Sequence, residues 1–144
     1  MLYLTTILWC IPSPLILVIN AEAWVLGQAA LNEVNPTLLG LAAAAGQVIG
    51  YTLCFFGGEA VLRRLPKLHD KVAAFDVDKH RGAAYGALFV GSVVGMPPAV
   101  VLTLVGRALH YRFLPYFVVC AAGRIIRFET LAWMPDLLGP LFKR

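Results

Sequence analysis

Charge is what this sequence has least of. Of its 144 residues 14% are charged and 60% are hydrophobic, and the mean hydropathy is +0.77. A soluble domain carries about a quarter charged residues, so this chain has too few to wet a globular surface of its size. It reads as an integral membrane protein. At about twenty apolar residues per crossing, the length leaves room for about four hydrophobic segments and excludes a sizeable catalytic domain outside the bilayer.

Cysteine is scarce too. Cys10, Cys54 and Cys120 are odd in number, each lies in apolar sequence, and no CxxC or His/Cys ligand spacing exists. They read as buried thiols, which excludes a disulfide frame and a zinc site. His69, His80 and His110 have no ligand-like spacing to one another or to the cysteines, so neither a metal nor a cofactor is expected. Asp76-Val77-Asp78 matches a metal-binding DxD only superficially; beside Lys79, His80 and Arg81 it reads as a solvated turn. Walker loop, GxSxG and HExxH are all missing, as is the metal cluster or His/Arg/acid set of phosphoryl chemistry, so the chain is not expected to be an enzyme. Met1-Leu-Tyr-Leu-Thr-Thr6 lacks a basic n-region and no small-residue cleavage pattern follows, so the first hydrophobic stretch is expected to stay in the mature protein.

The charges present are unevenly placed. The net charge is +4, and half of the twelve basic residues fall between Arg63 and Arg81, with three aspartates. Beside long apolar segments such a block is a membrane-surface flank and not a nucleic-acid site. Leu65, Leu68, Val72 and Phe75 fall at helical spacing within it, which predicts an amphipathic helix in the headgroup plane. The positive-inside rule puts this segment in the cytoplasm and the protein in the inner (plasma) membrane as a multi-pass chain. Arg107 and Arg112 share its side, whereas Lys143 and Arg144 run against the scheme.

Prolines divide the apolar sequence. From Leu4 to Leu31 Glu22 alone is charged, and Pro12-Ser13-Pro14 interrupts the run. Two ring-locked residues remove backbone donors and disfavour helix before each, so two short helices meeting as a re-entrant hairpin are expected. After the polar turn Asn32-Glu33-Val34-Asn35, Pro36 suits the first turn of a crossing helix to about Leu62. Its Ala42, Gly46, Gly50, Cys54 and Gly58 recur every fourth position, a face that lets another backbone approach closely. Gly82 to about His110 repeats the pattern, broken at Pro97-Pro98, with Gly82/Gly86 and Gly91/Gly95 as close-packing spacings. Leu114-Pro115 opens a last crossing helix that Pro135-Asp136 is expected to end near Met134, leaving a short tail, 135–144.

The expected fold is therefore all-α, a single membrane domain over residues 1–144. Each of two repeats, about 4–62 and 82–134, has a proline-broken hairpin followed by a transmembrane helix, with the amphipathic linker 63–81 between them. One crossing helix per repeat reverses direction between them, so the repeats are inverted.

In that order the chain resembles the DedA family, also described as the VTT domain. The residues that carry the resemblance are Gly46-Gln47-Val48-Ile49-Gly50-Tyr51 with Gly57 and Gly58. Further on they are Gly91 through Pro97-Pro98 to Gly106-Arg107, Phe117, and Gly123-Arg124-Ile125-Ile126-Arg127-Phe128. It is most similar to the short, YqaA-like branch. The resemblance implies two oppositely oriented re-entrant hairpins, each followed by a crossing helix, and movement of a polyprenyl phosphate or phospholipid across the bilayer. Longer members carry an acidic residue where this chain has Gln47, and arginines where it has Ser92 and Ala99-Val100. Proton-driven export by those residues is therefore not carried over.

Ionisable residues at depth cost several kcal/mol by insertion scales, which makes Glu22, Arg124 and Arg127, with Glu129 close behind, the candidate functional groups. Arg124 and Arg127 lie three apart on one helix face, and two guanidiniums side by side suit the oxygens of a lipid phosphate. Glu22 is the expected buried acid or counter-ion. A second reading makes Glu22 and one arginine a structural ion pair, or has all three snorkel to headgroups. Pro12, Pro14, Pro97 and Pro98 mark breaks where helix ends present partial charge to an anion. Gly46, Gly50, Gly58 and Gly123 are the expected helix-packing positions. The partners are membrane lipids with anionic headgroups, and the glycine faces allow a homodimer. The two competing functions are a structural or envelope-homeostasis protein that transports nothing and, ranked last, a lipid-phosphate enzyme.

Overall fold

A computed structural model describes residues 1–14, 20–64, 77–94, 102–104, 106 and 111–142. These residues are helical with connecting turns and contain no strand. The helices are α1 (Leu2–Cys10), α2 (Ala21–Leu31), α3 (Pro36–Arg63), α4 (Val77–Val94) and α5 (Phe113–Phe142). Pro97, Pro98 and Arg107, and the predicted amphipathic helix over residues 65–76, lie outside the described residues.

The chain forms two compact units, one of residues 1–50 with 124–144 and one of residues 51–123. Their boundaries fall inside α3 and α5, not at the ends of the repeats expected from the sequence.

In the first unit the proline pair does what its missing donors dictate. Helix α1 stops at Cys10, and Ile11 to Pro14 form bends and a turn. The Ser13 hydroxyl donates to the Cys10 carbonyl at 2.9 Å and so occupies one of the acceptors left at the helix end. Helix α2 starts at Asn20, whose side-chain oxygen accepts from the Glu22 and Ala23 amides at 3.0 and 3.2 Å, an N-cap. The two arms have 9 and 11 residues, so they are about 14 and 16 Å long at 1.5 Å per residue. They pack as a pair: Trp9 stacks on Trp24 with ring centroids 5.0 Å apart, and the Trp24 indole donates to the Thr6 hydroxyl at 3.1 Å.

Arm α1 runs beside the first half of α3. At one end the Tyr3 hydroxyl accepts from the Asn35 amide at 3.3 Å. At the other, Gly46 lies against the Ile7 carbonyl and Cys10, and Gly50 against the Ile11 carbonyl and Pro14. No side chain larger than hydrogen fits at either glycine. Close Cα–H to carbonyl approaches of this kind contribute about 0.5–1 kcal/mol each. Cys10, Val25, Leu39, Ala43, Phe128 and Ala132 form the core of the unit.

The second unit is aromatic. Tyr51, Phe55, Leu88, Tyr111, Tyr116 and Cys120 form its core, with Phe55 stacked on Tyr116 at 4.5 Å. The Tyr116 hydroxyl donates to the Thr103 hydroxyl at 2.9 Å. Gly58 lies against the backbone of Leu104, and Gly123 against Ser92 and the Phe89 carbonyl.

Two boundaries and one packing contact differ from the sequence expectation. Helix α5 runs through Pro135 to Phe142 instead of ending near Met134. A proline forfeits one hydrogen bond to the carbonyl four residues earlier, and the other backbone groups of the helix can still pair across it. Helix α4 begins at Val77, so Asp78, Lys79, His80 and Arg81 belong to it and not to a turn before Gly82. Among the described residues Gly82 and Gly86 meet nothing within 4 Å; the close contact of α4 is made by Phe89 and Ser92, near its C-terminal end.

Of the described helices one segment, Pro36–Gly58, is long and apolar enough to cross a bilayer. Helix α5 has 30 residues but carries Arg124, Arg127 and Glu129 in its middle.

Candidate functional site

Glu22, Arg124, Arg127 and Glu129 all belong to the first unit, and Glu22, expected as a buried acid, is only half-buried. Glu22 is in the first turn of α2, where a carboxylate is favoured by the positive helix end. That turn is the inner end of the arm, nine residues and about 14 Å from Leu31. Arg127 of α5 donates to it through two nitrogens, Nε at 3.1 Å and Nη2, both on the single oxygen Oε1. The arginine side chain is 14% exposed and the glutamate 38%, so the cation is the deeper partner. Using one oxygen twice is not the parallel two-oxygen fork of an ideal Arg–carboxylate pair. Glu22 thus ties the hairpin to α5.

Arg124, one turn before Arg127 on α5, is 2% exposed. Full burial of a guanidinium is rare, because the transfer of an ion out of water is costly unless it is paired and hydrogen-bonded. Glu129, two residues beyond Arg127, is packed against the backbone of α3: a Cβ at Gly40 would come 2.8 Å from its Oε1.

A second polar group sits at the proline break. The Gln47 amide nitrogen donates to the Ser13 hydroxyl at 2.7 Å, and Gln47 is 7% exposed. Gln47 lies at the midpoint of the Pro36–Gly58 stretch, beside Gly46, where α1 ends. Sequence reading singled out Gln47 only as a replacement for an acidic residue and gave Ser13 no role. No signal in the sequence links the serine between the two prolines to a glutamine 34 positions later.

Pro12 is half-buried and Pro14 buried, at the same break. All four packing glycines, Gly46, Gly50, Gly58 and Gly123, have a neighbour where a Cβ would stand. Among the described residues no group of three His, Cys, Asp or Glu side chains is placed to hold a metal ion.

The buried residues of α5 fall 77 positions after buried residues of α3, which also buries Ala42, Ala44, Val48 and Cys54 without buried counterparts. Leu39, Ala43, Gln47, Tyr51 and Phe55 of α3 are each less than 9% exposed, and so are Tyr116, Cys120, Arg124, Phe128 and Ala132 of α5. Each residue of the second set lies 77 positions after its counterpart, as Gly123 does after Gly46. Both helices also open alike, with the Leu39 amide bonded to the Asn35 carbonyl and the Tyr116 amide to the Arg112 carbonyl. Gln47 and Arg124 are each the buried polar residue directly after a contact glycine.

No family model, curated protein or solved structure matches the chain.

Proposed function

We propose that the chain is a multi-pass membrane protein of DedA/VTT type, built as two inverted repeats, that moves or flips a phosphorylated lipid, a polyprenyl phosphate or a phospholipid. The observation that carries this reading is the set of buried positions that α3 and α5 share at a spacing of 77, with a polar residue after the contact glycine in each helix. The make-up of the units agrees with it. The first contains the broken segment of α1 and α2 with the first part of α3 and the last part of α5, and the second contains α4 with the rest of α3 and the first part of α5.

A bilayer accounts for the outer faces of those helices. Leu41, Ile49, Leu53 and Phe56 on α3, and Leu114, Val118, Ile126 and Trp133 on α5, are each more than 40% exposed. So much exposed apolar surface is unfavourable in water and suits lipid. Arms of about 14 and 16 Å cannot cross a hydrocarbon core of about 30 Å, so α1 and α2 enter and return on one face. Their tip then lies near the midplane, where a lipid headgroup in transit needs polar groups.

The arginines are the phosphate-binding groups in this reading. Arg127 is held in place by Glu22, and Arg124 lies one turn away on the same helix. An anion between two guanidiniums relieves their repulsion, and their fork geometry suits phosphate oxygens. The Glu22–Arg127 pair also favours a second reading, a structural or envelope-homeostasis protein in which the pair only holds the hairpin in place.

Reconstitution into vesicles separates the readings. With a fluorescent phospholipid or a polyprenyl phosphate supplied on one leaflet, the protein is expected to move the lipid unchanged, and Arg124→Gln with Arg127→Gln to stop it. No movement favours the structural protein, and a chemically altered lipid indicates an enzyme. Full movement by a correctly inserted double variant overturns the role given to the arginines.

A further inference from the structure

The polar group at the proline break has a direction. Ser13 has one hydroxyl proton, and it goes to the Cys10 carbonyl. Toward Gln47 the hydroxyl can therefore only accept, which fixes the Gln47 amide with its nitrogen on Ser13 and its oxygen turned away. That oxygen, Oε1, is buried and accepts no hydrogen bond from any described residue. A buried acceptor left unsatisfied is costly, so the position calls for a donor. Ser13 itself is half-buried.

The donor's charge is constrained too. Ser13 and Gln47 are both neutral, and an ammonium placed on them would be a buried cation with no counter-charge from the pair. A phosphate offers only acceptors and would face Oε1 with repulsion. A hydroxyl meets the requirement: it donates, carries no charge and is small.

We infer that the Ser13–Gln47 pair at the hairpin tip binds a hydroxyl group of the lipid headgroup, so that the lipid handled is one whose phosphate carries a polyol such as glycerol. The inference rests on the proposed lipid-phosphate function, to which it adds the chemistry of the group beyond the phosphate. Arg124 and Arg127 are the groups for the anion, and Gln47 Oε1 accepts a hydrogen bond from the hydroxyl. A bare polyprenyl phosphate ester or a choline headgroup brings no such donor.

The test compares two anionic lipids with identical short acyl chains, phosphatidylglycerol and phosphatidylmethanol, which differ in the two free hydroxyls of the glycerol. Calorimetric titration of the detergent-purified full chain is expected to give phosphatidylglycerol about tenfold tighter binding, the weight of one hydrogen bond to an otherwise unsatisfied buried acceptor. Gln47→Met, close in size and without a carbonyl, is expected to bring the two affinities together. A readout on the unaltered protein guards against a variant that fails to fold. With carbonyl-labelled glutamine the chain has two labelled side chains, Gln28 and Gln47. The infrared band of one is expected to shift on adding phosphatidylglycerol and not on adding phosphatidylmethanol. Equal affinities with an unshifted band overturn the inference and leave Oε1 to a buried water alone, while the phosphate reading stands. Failure of both lipids to bind overturns the lipid-phosphate reading, and the inference falls with it.

Discussion

Gly46 and Gly123 make one kind of contact in two settings. Each lies against a residue pair three apart on a neighbouring helix, Ile7 and Cys10 of α1 for Gly46, Phe89 and Ser92 of α4 for Gly123. Each is followed by a buried polar residue, and there the regions part: the first carries the neutral amide of Gln47, the second the guanidinium of Arg124. The neighbours differ as well. A Cβ at Gly46 would overlap the Ile7 backbone carbonyl, whereas one at Gly123 would come 2.6 Å from the Ser92 Cβ and 3.3 Å from the Phe89 carbonyl. Close packing fixes residue size at these positions and leaves the charge of the next residue free to diverge.

The largest expected effect follows from size. Gly46→Leu forces backbone apart and should lower the unfolding free energy by about 3 kcal/mol or more, read from the denaturation midpoint in detergent. Gly123→Leu should cost somewhat less, because the first atom met belongs to a serine side chain. Gly57→Ala is the control: nothing described lies within 4 Å of it, and a change within about 0.5 kcal/mol is expected. A Gly123→Leu variant as stable as the parent would show that the two contacts are not equivalent.

Next comes the ion pair, which ties the hairpin to α5 in the first unit. Glu22→Gln should cost about 1–2 kcal/mol, below the range for a fully buried pair because Glu22 is 38% exposed. Adding Arg127→Gln should recover part of that loss, and the double-mutant cycle measures the coupling. Strictly additive losses would mean that the pair contributes nothing to holding the hairpin.

The smallest effect is expected in the aromatic unit. Tyr116→Phe removes the hydroxyl that donates to Thr103 and should cost about 1 kcal/mol in the same denaturation assay. The stacking of the ring on Phe55 is retained, so a loss much above that would assign the hydroxyl a larger part than one hydrogen bond.

Much of the fold was legible because it depends on local chemistry. Pro12 and Pro14 end α1, the polar turn before Pro36 opens α3, and the charges at Glu22 and Arg127 stand out in apolar sequence. The continuation of α5 past Pro135 was not legible, since a proline removes one hydrogen bond and does not by itself show whether the helix ends there or pairs across it. Nor was the start of α4 at Val77, because Asp76-Val77-Asp78 beside Lys79, His80 and Arg81 looks like a solvated turn when only charge is read. The Ser13–Gln47 bond spans 34 positions and joins two neutral side chains, so no sequence pattern announces it. The buried positions that α3 and α5 share at a spacing of 77 were not legible either, because Leu39 and Tyr116, Ala43 and Cys120, and Gln47 and Arg124 have burial in common and not residue type.

The claim that two inverted repeats span a membrane is tested most directly by side-specific cysteine labelling in whole cells. Leu2→Cys, Asn32→Cys, Lys79→Cys and Arg107→Cys flank the two broken segments, and the three native cysteines are buried. With an impermeant maleimide, Leu2→Cys and Asn32→Cys are expected to react from outside, and Lys79→Cys and Arg107→Cys only after the cells are opened. A split within either pair, one member labelled from each face, would contradict the account, because that broken segment would then cross the membrane instead of returning.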